Sequence, residues 1–307
     1  MPHLVSIALC TYNGEKFLAR LLDSLLAQDY KPMEIIAVDD CSNDNTWNIL
    51  QEYAQKDPRL KPYQNEQNLG HTLNFEKAIK LCGSDFIALA DQDDLWERDK
   101  LKIMMGCAGG CVMVYHDSDF IDDEGKRIGD KTMASNHRMY EGNSSLPIIL
   151  GNNIHGHSIL FDSKLKQYLS PFNAGFSHDW AIAFAAFNAG KVKYVDQVLV
   201  HYRQHQHSIT DFLEQREDEA PTNKARNLER LGVTISWLNY CLKFQPKKEP
   251  ELVHRACGLF SDLMKGENKF SCFLFMLKHF DLLFYTMNNK RRTFLSKVNF
   301  VRKLCFD

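Results

Sequence analysis

Leu4-Val5-Ser6-Ile7-Ala8-Leu9 is a short apolar run of strand length, and Thr11-Tyr12-Asn13-Gly14 follows it directly. Glu15 to Ala27 comes next, with Phe17, Leu18, Leu21, Leu22, Leu25 and Leu26 recurring at helical spacing on one face. Strand, polar turn and amphipathic helix together make one repeating unit of an α/β fold. The unit recurs downstream. Glu34 to Val38 is a second strand, and Thr46 to Gln55 reads as a helix capped by Asp44 or Asn45. Leu60 to Tyr63 is a weaker strand, Thr72 to Leu81 a helix, and Phe86 to Ala90 a fourth strand. Such alternation predicts an α/β fold with a mostly parallel sheet and helices on both faces.

An open sheet of this kind binds ligands beyond the carboxyl ends of its strands. Three polar clusters fall at those ends: Thr11-Tyr12-Asn13-Gly14, Asp39-Asp40-Cys41-Ser42-Asn43-Asp44 and Asp91-Gln92-Asp93-Asp94. The last offers hard oxygens at a spacing that suits magnesium or manganese better than zinc. A calcium loop of EF-hand type is excluded, because its sixth position, counted from Asp91, is Trp96 where glycine is needed. The competing reading makes Asp94 the N-cap of a helix beginning at Leu95-Trp96-Glu97.

After residue 106 the pattern loosens. Cys111 to His116 reads as a strand, Ile121 to Ile128 as a hairpin turning at Asp123-Glu124-Gly125, and Ile154 to Phe161 as a strand. Asp179 to Ala189 reads as a buried helix, and Val192 to Tyr202 as strand broken at Asp196-Gln197. Beyond Pro221 the pattern is helical to the end, which places a boundary near residue 212. Residues 1–211 then form one domain, with halves 1–105 and 106–211, and 212–307 a helical extension.

The 307 residues are 44% apolar and 25% charged, enough to bury a full core. A formal charge of -2 gives no bias toward nucleic acid. The nine cysteines are scattered without paired metal-ligand spacing, which with the absence of a secretory pattern at Met1-Pro2-His3-Leu4 suits a reduced cytoplasmic compartment. The most apolar stretch, Phe270 to Tyr285, is interrupted by Lys278, His279 and Asp281 and is too short to span a bilayer. Residues 265–307 carry nine basic and three acidic residues, a net of +6, among many Phe and Leu. That composition suits peripheral contact with anionic lipid at the inner face of the cell membrane, and the same apolar groups could instead cover a second copy in a homodimer or the first domain.

Taken together, Val5 to Gly14, Ile35 to Thr46, Asn68-Leu69-Gly70 and Asp91-Gln92-Asp93-Asp94-Leu95-Trp96 resemble glycosyltransferase family 2, the inverting enzymes of GT-A fold. The resemblance covers residues 4–205. The pairing of Thr-Tyr-Asn-Gly with Asp-Gln-Asp-Asp-Leu-Trp is similar to its rhamnosyltransferase-like branch, which builds bacterial surface polysaccharides. It implies transfer of a sugar, rhamnose among the candidates, from a UDP- or dTDP-sugar to a saccharide or lipid-linked acceptor with Mn2+ or Mg2+. Thr11, Tyr12 and Asn13 would line the nucleotide pocket, and Asp39 or Asp40 would accept from the pyrimidine N3–H. Asp91 would face the ribose, with Asp93 the principal metal ligand and Asp94 beside it.

The general base implied is Asp179, in Ser177-His178-Asp179-Trp180, with Trp180 either an acceptor platform or core. Helix N-capping is the bland role for Asp179. Within His201-Tyr202-Arg203-Gln204-His205-Gln206-His207, Arg203 would meet the diphosphate and His205 would complete the metal shell. Asn152-Asn153-Ile154-His155-Gly156-His157 is either an acceptor-pocket loop or ordinary loop chemistry. Two rival functions are a nucleotidyltransferase, disfavoured by the lack of a glycine- and basic-rich first loop, and a carbohydrate-binding protein that keeps the fold without turnover.

Overall fold

A computed structural model describes residues 3–169, 171–204, 223–244, 250–286 and 293–306. The boundary expected near residue 212 and His205 lie outside them. The first half runs β1 (Val5–Thr11), α1 (Leu18–Leu26), β2 (Met33–Asp39), α2 (Thr46–Lys56), β3 (Leu60–Gln64), α3 (His71–Leu81) and β4 (Phe86–Asp91). All seven residues of β1 are buried, as a central strand covered on both faces requires. Its side chains alternate. Val5, Ile7 and Leu9 join Leu18, Leu21, Leu22 and Leu25 of α1 in one core. Ala8 and Cys10 join Phe75, Ala78 and Ile79 of α3 in the other.

The second half adds β5 (Leu95–Trp96), α4 (Lys100–Cys107), β6 (Met113–Ile121), β7 (Arg127–Thr132), a short α5 (Met133–Asn136), β8 (Ile159–Asp162), α6 (His178–Ala189) and β9 (Val192–Arg203). Sheet order is β3-β2-β1-β4-β8-β6-β9-β5, with β7 beside β6. The β3-β2-β1-β4 portion is parallel. β8 enters antiparallel between β4 and β6, and β9 runs parallel to β6. The parallel character thus belongs chiefly to the first half, and the second is mixed.

Several local expectations are corrected. Leu95-Trp96 does not open a helix: it pairs antiparallel with Val200 and His201 of β9, and the helix begins only at Lys100. Sheet pairing overrides the local helical signal, so Asp94 is no cap. Ile154 to Phe161 is extended only from Ile159, because Gly156–Ser158 winds into a single 3-10 turn. The break at Asp196-Gln197 is real but small. β9 is continuous there, and its register to β6 jumps from Val195 opposite His116 to Val198 opposite Asp117, so the two polar residues bulge out.

The C-terminal helices are α7 (Asn223–Cys241), α8 (Pro250–Met264), α9 (Lys269–Lys278), α10 (Phe280–Leu283) and α11 (Phe294–Phe306). Trp237 of α7 is fully buried and stacks on Trp180 of α6, ring centroids 4.1 Å apart. Trp180 Nε1 donates to Ile148 O at 2.7 Å, so this ring is half core and half wall of the cleft described next.

Candidate functional site

The parallel strands end in register. Thr11 lies opposite Asp39, and Cys10 opposite Asp91. All three strand-end clusters therefore meet at one edge, where a cleft of about 690 Å³ opens. Thr11, Tyr12, Asp40, Asp91 and Asp93 from the first half line it together with Asn152, His155, His157, His178, Asp179 and Tyr202 from the second.

Asp39 and Asp40 part company in their hydrogen bonding. An ionised carboxylate has about four lone-pair sites. Asp39 fills them with Thr11 Oγ1 (3.0 Å), Ser42 Oγ (2.5 Å), Ser42 N (3.1 Å) and Gln64 Nε2 (3.1 Å), and it does not reach the cleft. Asp40 accepts from Asn65 Nδ2 (2.6 Å) and Leu69 N (2.8 Å) on Oδ1, but only from Gly70 N (2.8 Å) on Oδ2. Asp40 lines the cleft with acceptor capacity in hand. Asn13, left-handed at φ 48°, turns its amide to Asn43 N (2.9 Å) and braces the loop from behind. Tyr12 is held by Gln92, whose Oε1 accepts from Tyr12 N (2.8 Å) while Nε2 donates to Tyr12 O (3.0 Å).

Among the described residues, one group of three can offer ligand atoms to a metal, all within 4.8 Å of one another: Asp91, Asp94 and His157. His157 Nδ1 lies 3.4 Å from Asp94 Oδ2 and 3.8 Å from Asp91 Oδ2. Its other nitrogen meets Ser118 Oγ at 2.8 Å, which fixes the ring's orientation. Lys100, fully buried, donates to the His157 carbonyl at 2.6 Å with its ammonium over the Trp96 ring. Asp94 has no solvent exposure, and its Oδ2 has no hydrogen-bond partner. Burial, together with Asp93 and Asp91, pushes its carboxyl well up. Burial would raise Asp91 too, but His157 and His71 outweigh it and hold that carboxyl well below the usual range. A divalent cation fits this set, because it would meet the orphaned oxygen and offset the crowded carboxylates. Asp93 sits on the cleft wall outside the group of three.

Arg203 is fully buried behind the acidic loop and does not line the cleft. Nε donates to Asp93 O (2.8 Å), and Nη1 to Asp122 O and to Asp123 O (2.9 Å), with the guanidinium over Phe17. Asp179 is on the cleft in the first turn of α6, where Ser177 and not Asp179 occupies the N-cap position. Asp179 Oδ1 accepts from Trp180 N (2.5 Å) and Asn152 Nδ2 (3.2 Å). The sequence gives no role to His178 or His71, and it marks His157 only within a run read as acceptor-pocket loop or ordinary loop chemistry, not as a metal-capable residue.

A family model described as Glycosyl transferase family 2 matches residues 6–169. The candidate teichuronic acid biosynthesis glycosyltransferase TuaG of Bacillus subtilis is 36% identical over 99 residues, covering 32% of this chain and 39% of that protein. EpsH, a candidate glycosyltransferase of the same organism, is 32% identical over 217 residues, 67% of this chain and 62% of EpsH. The chain thus spans less than two-thirds of these relatives' length. TarS 1-349 of S. aureus, solved with UDP-GlcNAc, superposes with TM-score 0.57 at 20% identity, over 98% of this chain and 90% of that one. The Pyrobaculum calidifontis mannosyltransferase PcManGT, solved with GDP-Man and Mn2+, gives TM-score 0.55 at 16% identity, over 84% and 70% of the two chains. These neighbours share the GT-A arrangement of sheet and helices. The match over more than half its residues, carried by strand ends that converge on one acidic cleft, places the chain in glycosyl transferase family 2.

Proposed function

We propose that the protein is an inverting, metal-dependent glycosyltransferase that moves a sugar from a UDP- or dTDP-sugar to a saccharide or lipid-linked acceptor in making a cell-surface polysaccharide. The observation that carries this is that Asp91 and His157 of the metal-capable group line one cleft with Asp179 at the strand ends, with Asp94 buried beside them. The names of TuaG and TarS's UDP-GlcNAc complex support the reaction class. Asp40, through its unfilled Oδ2, accepts from the base, and Thr11 and Tyr12 flank it. Asp179 takes the proton from the acceptor hydroxyl as that oxygen attacks the anomeric carbon opposite the leaving diphosphate. Asn152 and the Trp180 N–H hold the carboxylate for that role. Asp91, Asp94 and His157 would hold Mn2+ or Mg2+, with Asp93 on the donor side. The ion when bound would supply positive charge against the negative charge developing on the diphosphate.

The catalytic unit in this reading is residues 1–211, with 212–307 an extension. No helix among the described residues is long and apolar enough to cross a membrane. Phe270, Phe294 and Leu295 are nevertheless exposed, in a segment that also carries Lys269 and Lys303, which supports peripheral contact with anionic lipid. Co-sedimentation with phosphatidylglycerol vesicles but not with phosphatidylcholine vesicles is the expected result, and equal partition to both removes this part.

The reaction is tested by incubating the full chain with UDP-, dTDP- and GDP-sugars, with and without Mn2+, and following thermal stabilisation and nucleotide release. Selective, metal-dependent stabilisation by one donor is expected. Rhamnose as the sugar requires that donor to be dTDP-rhamnose. Indifference to every donor in both conditions sinks the reading and leaves the carbohydrate-binding alternative.

A further inference from the structure

His178 is 2% exposed, lines the cleft, and has no hydrogen-bond partner on either ring nitrogen. Buried polar groups in folded proteins are nearly always paired, so an orphaned ring on a cleft-lining residue calls for a partner brought by a ligand. The ring is not idly placed. It stacks face to face on Phe75, centroids 3.9 Å apart and planes within 11°, and stands edge-on to His71 at 5.0 Å. Nε2 approaches the backbone of Gly156 so closely that a Cβ there would fall 2.7 Å from it. Phe75 fixes the plane of the imidazole, and the missing side chain at 156 leaves room for its tip.

The chemistry of the missing partner follows from the state of the ring. Burial, reinforced by His71, drives the imidazole down to about 3, so it stays neutral at physiological pH. A neutral imidazole offers one N–H donor and one bare nitrogen acceptor. A phosphate has no proton for the bare nitrogen and would favour a cationic partner. A sugar hydroxyl both donates and accepts. His178 also immediately precedes Asp179 at the start of α6, which puts it beside the carboxylate assigned to the acceptor proton.

We infer that His178 is a specificity-determining residue that recognises a pyranose hydroxyl in the cleft, with Gly156 present to make room for the ring. The inference rests on the glycosyl-transfer reading. The hydroxyl can belong to the donor sugar or to the acceptor, and two arms of one experiment tell them apart.

His178→Phe keeps the stack on Phe75 and removes both nitrogens, while His178→Asn restores an amide donor and acceptor. Binding of UDP, UDP-GlcNAc and UDP-glucose, and of dTDP and dTDP-rhamnose, is measured by titration calorimetry with Mn2+. Transfer to a panel of methyl glycosides is followed in parallel. If the donor sugar is the partner, His178→Phe binds the nucleoside diphosphate within about twofold of the unchanged chain but loses about tenfold for the nucleotide sugar, the scale of one lost hydrogen bond. If the acceptor is the partner, donor binding holds and the acceptor KM rises about tenfold while kcat moves little. In either case His178→Asn recovers part of the loss. Equal weakening of diphosphate and nucleotide sugar, or no change in any arm, overturns the inference. Failure of the unchanged chain to bind any of these nucleotides is a different result: it refutes the glycosyl-transfer reading and removes this inference with it.

Discussion

Asp94 Oδ1 accepts a 3.0 Å hydrogen bond from the backbone N–H of Arg203, 109 residues later in the chain. The same arginine donates through its side chain to the carbonyl of Asp93. One residue at the end of β9 thus grips the acidic loop by both main chain and side chain. Arg203→Met leaves the carbonyls of Asp93, Asp122 and Asp123 without these donors. Urea unfolding is expected to show a loss of about 3 kcal/mol, the upper scale for taking a charged donor from buried carbonyl acceptors. A loss below about 0.5 kcal/mol would show that the loop is held by other contacts.

Ser118 touches no proposed ligand atom, yet it meets His157 Nε2 at 2.8 Å and so sets which nitrogen faces Asp91 and Asp94. Ser118→Ala is expected to weaken Mn2+ binding by about 10- to 100-fold, read by paramagnetic resonance of the free ion. Asp93→Ala is measured beside it, because Asp93 lies on the cleft wall outside the group of three. Unaltered affinity in Ser118→Ala would remove His157 from the metal site.

Asp179→Asn preserves size and an acceptor for the Trp180 N–H but cannot take a proton. Turnover with the donor that the thermal screen selects is expected to fall by about 10² to 10⁴, while the donor dissociation constant stays within about twofold. Retention of more than a tenth of the rate assigns the base elsewhere.

The buried, neutral His178 carries a pH signature. Its pKa lies near 3 in the fold, lowered from 6.5 chiefly by burial. As pH falls below 6.5 the unfolded chain takes up this proton first, so stability present in full above that pH is lost progressively toward pH 3. The slope amounts to about 1.4 kcal/mol per pH unit at most. His178→Phe is expected to flatten the decline in the urea midpoint between pH 6.5 and 4. Parallel profiles for the two proteins would show that the ring is protonated as freely in the fold as outside it.

Much of the cleft is legible from sequence because it forms at strand ends, and strand ends are local. Thr11, Asp40 and Asp91 each follow their own apolar run, and parallel register alone brings them together. His157 is different. It stands far from the acidic cluster in the chain, and only the antiparallel entry of β8 beside β4 delivers it there. No spacing rule anticipates that. The rival reading of Asp94 as a helix cap fails for a related reason, while its place among the metal-capable residues stands: Leu95-Trp96 looks like the start of a helix until β9 arrives to pair with it. Arg203 reads as a phosphate ligand on residue type alone, and its burial behind the loop is decided by carbonyls at Asp122 and Asp123 that no local pattern marks.

Gly14 and Gln92 share one small volume. A Cβ on residue 14 would stand 2.3 Å from Gln92 Oε1, the atom that receives the Tyr12 N–H. A side chain at 14 and the Gln92 amide that closes the Tyr12 loop compete for the same space. Any side chain at 14 pushes that amide off Tyr12, so its cost is felt at the cleft rather than at residue 14 itself. Glycine at 14 is thus favoured by a neighbour and not by its own backbone.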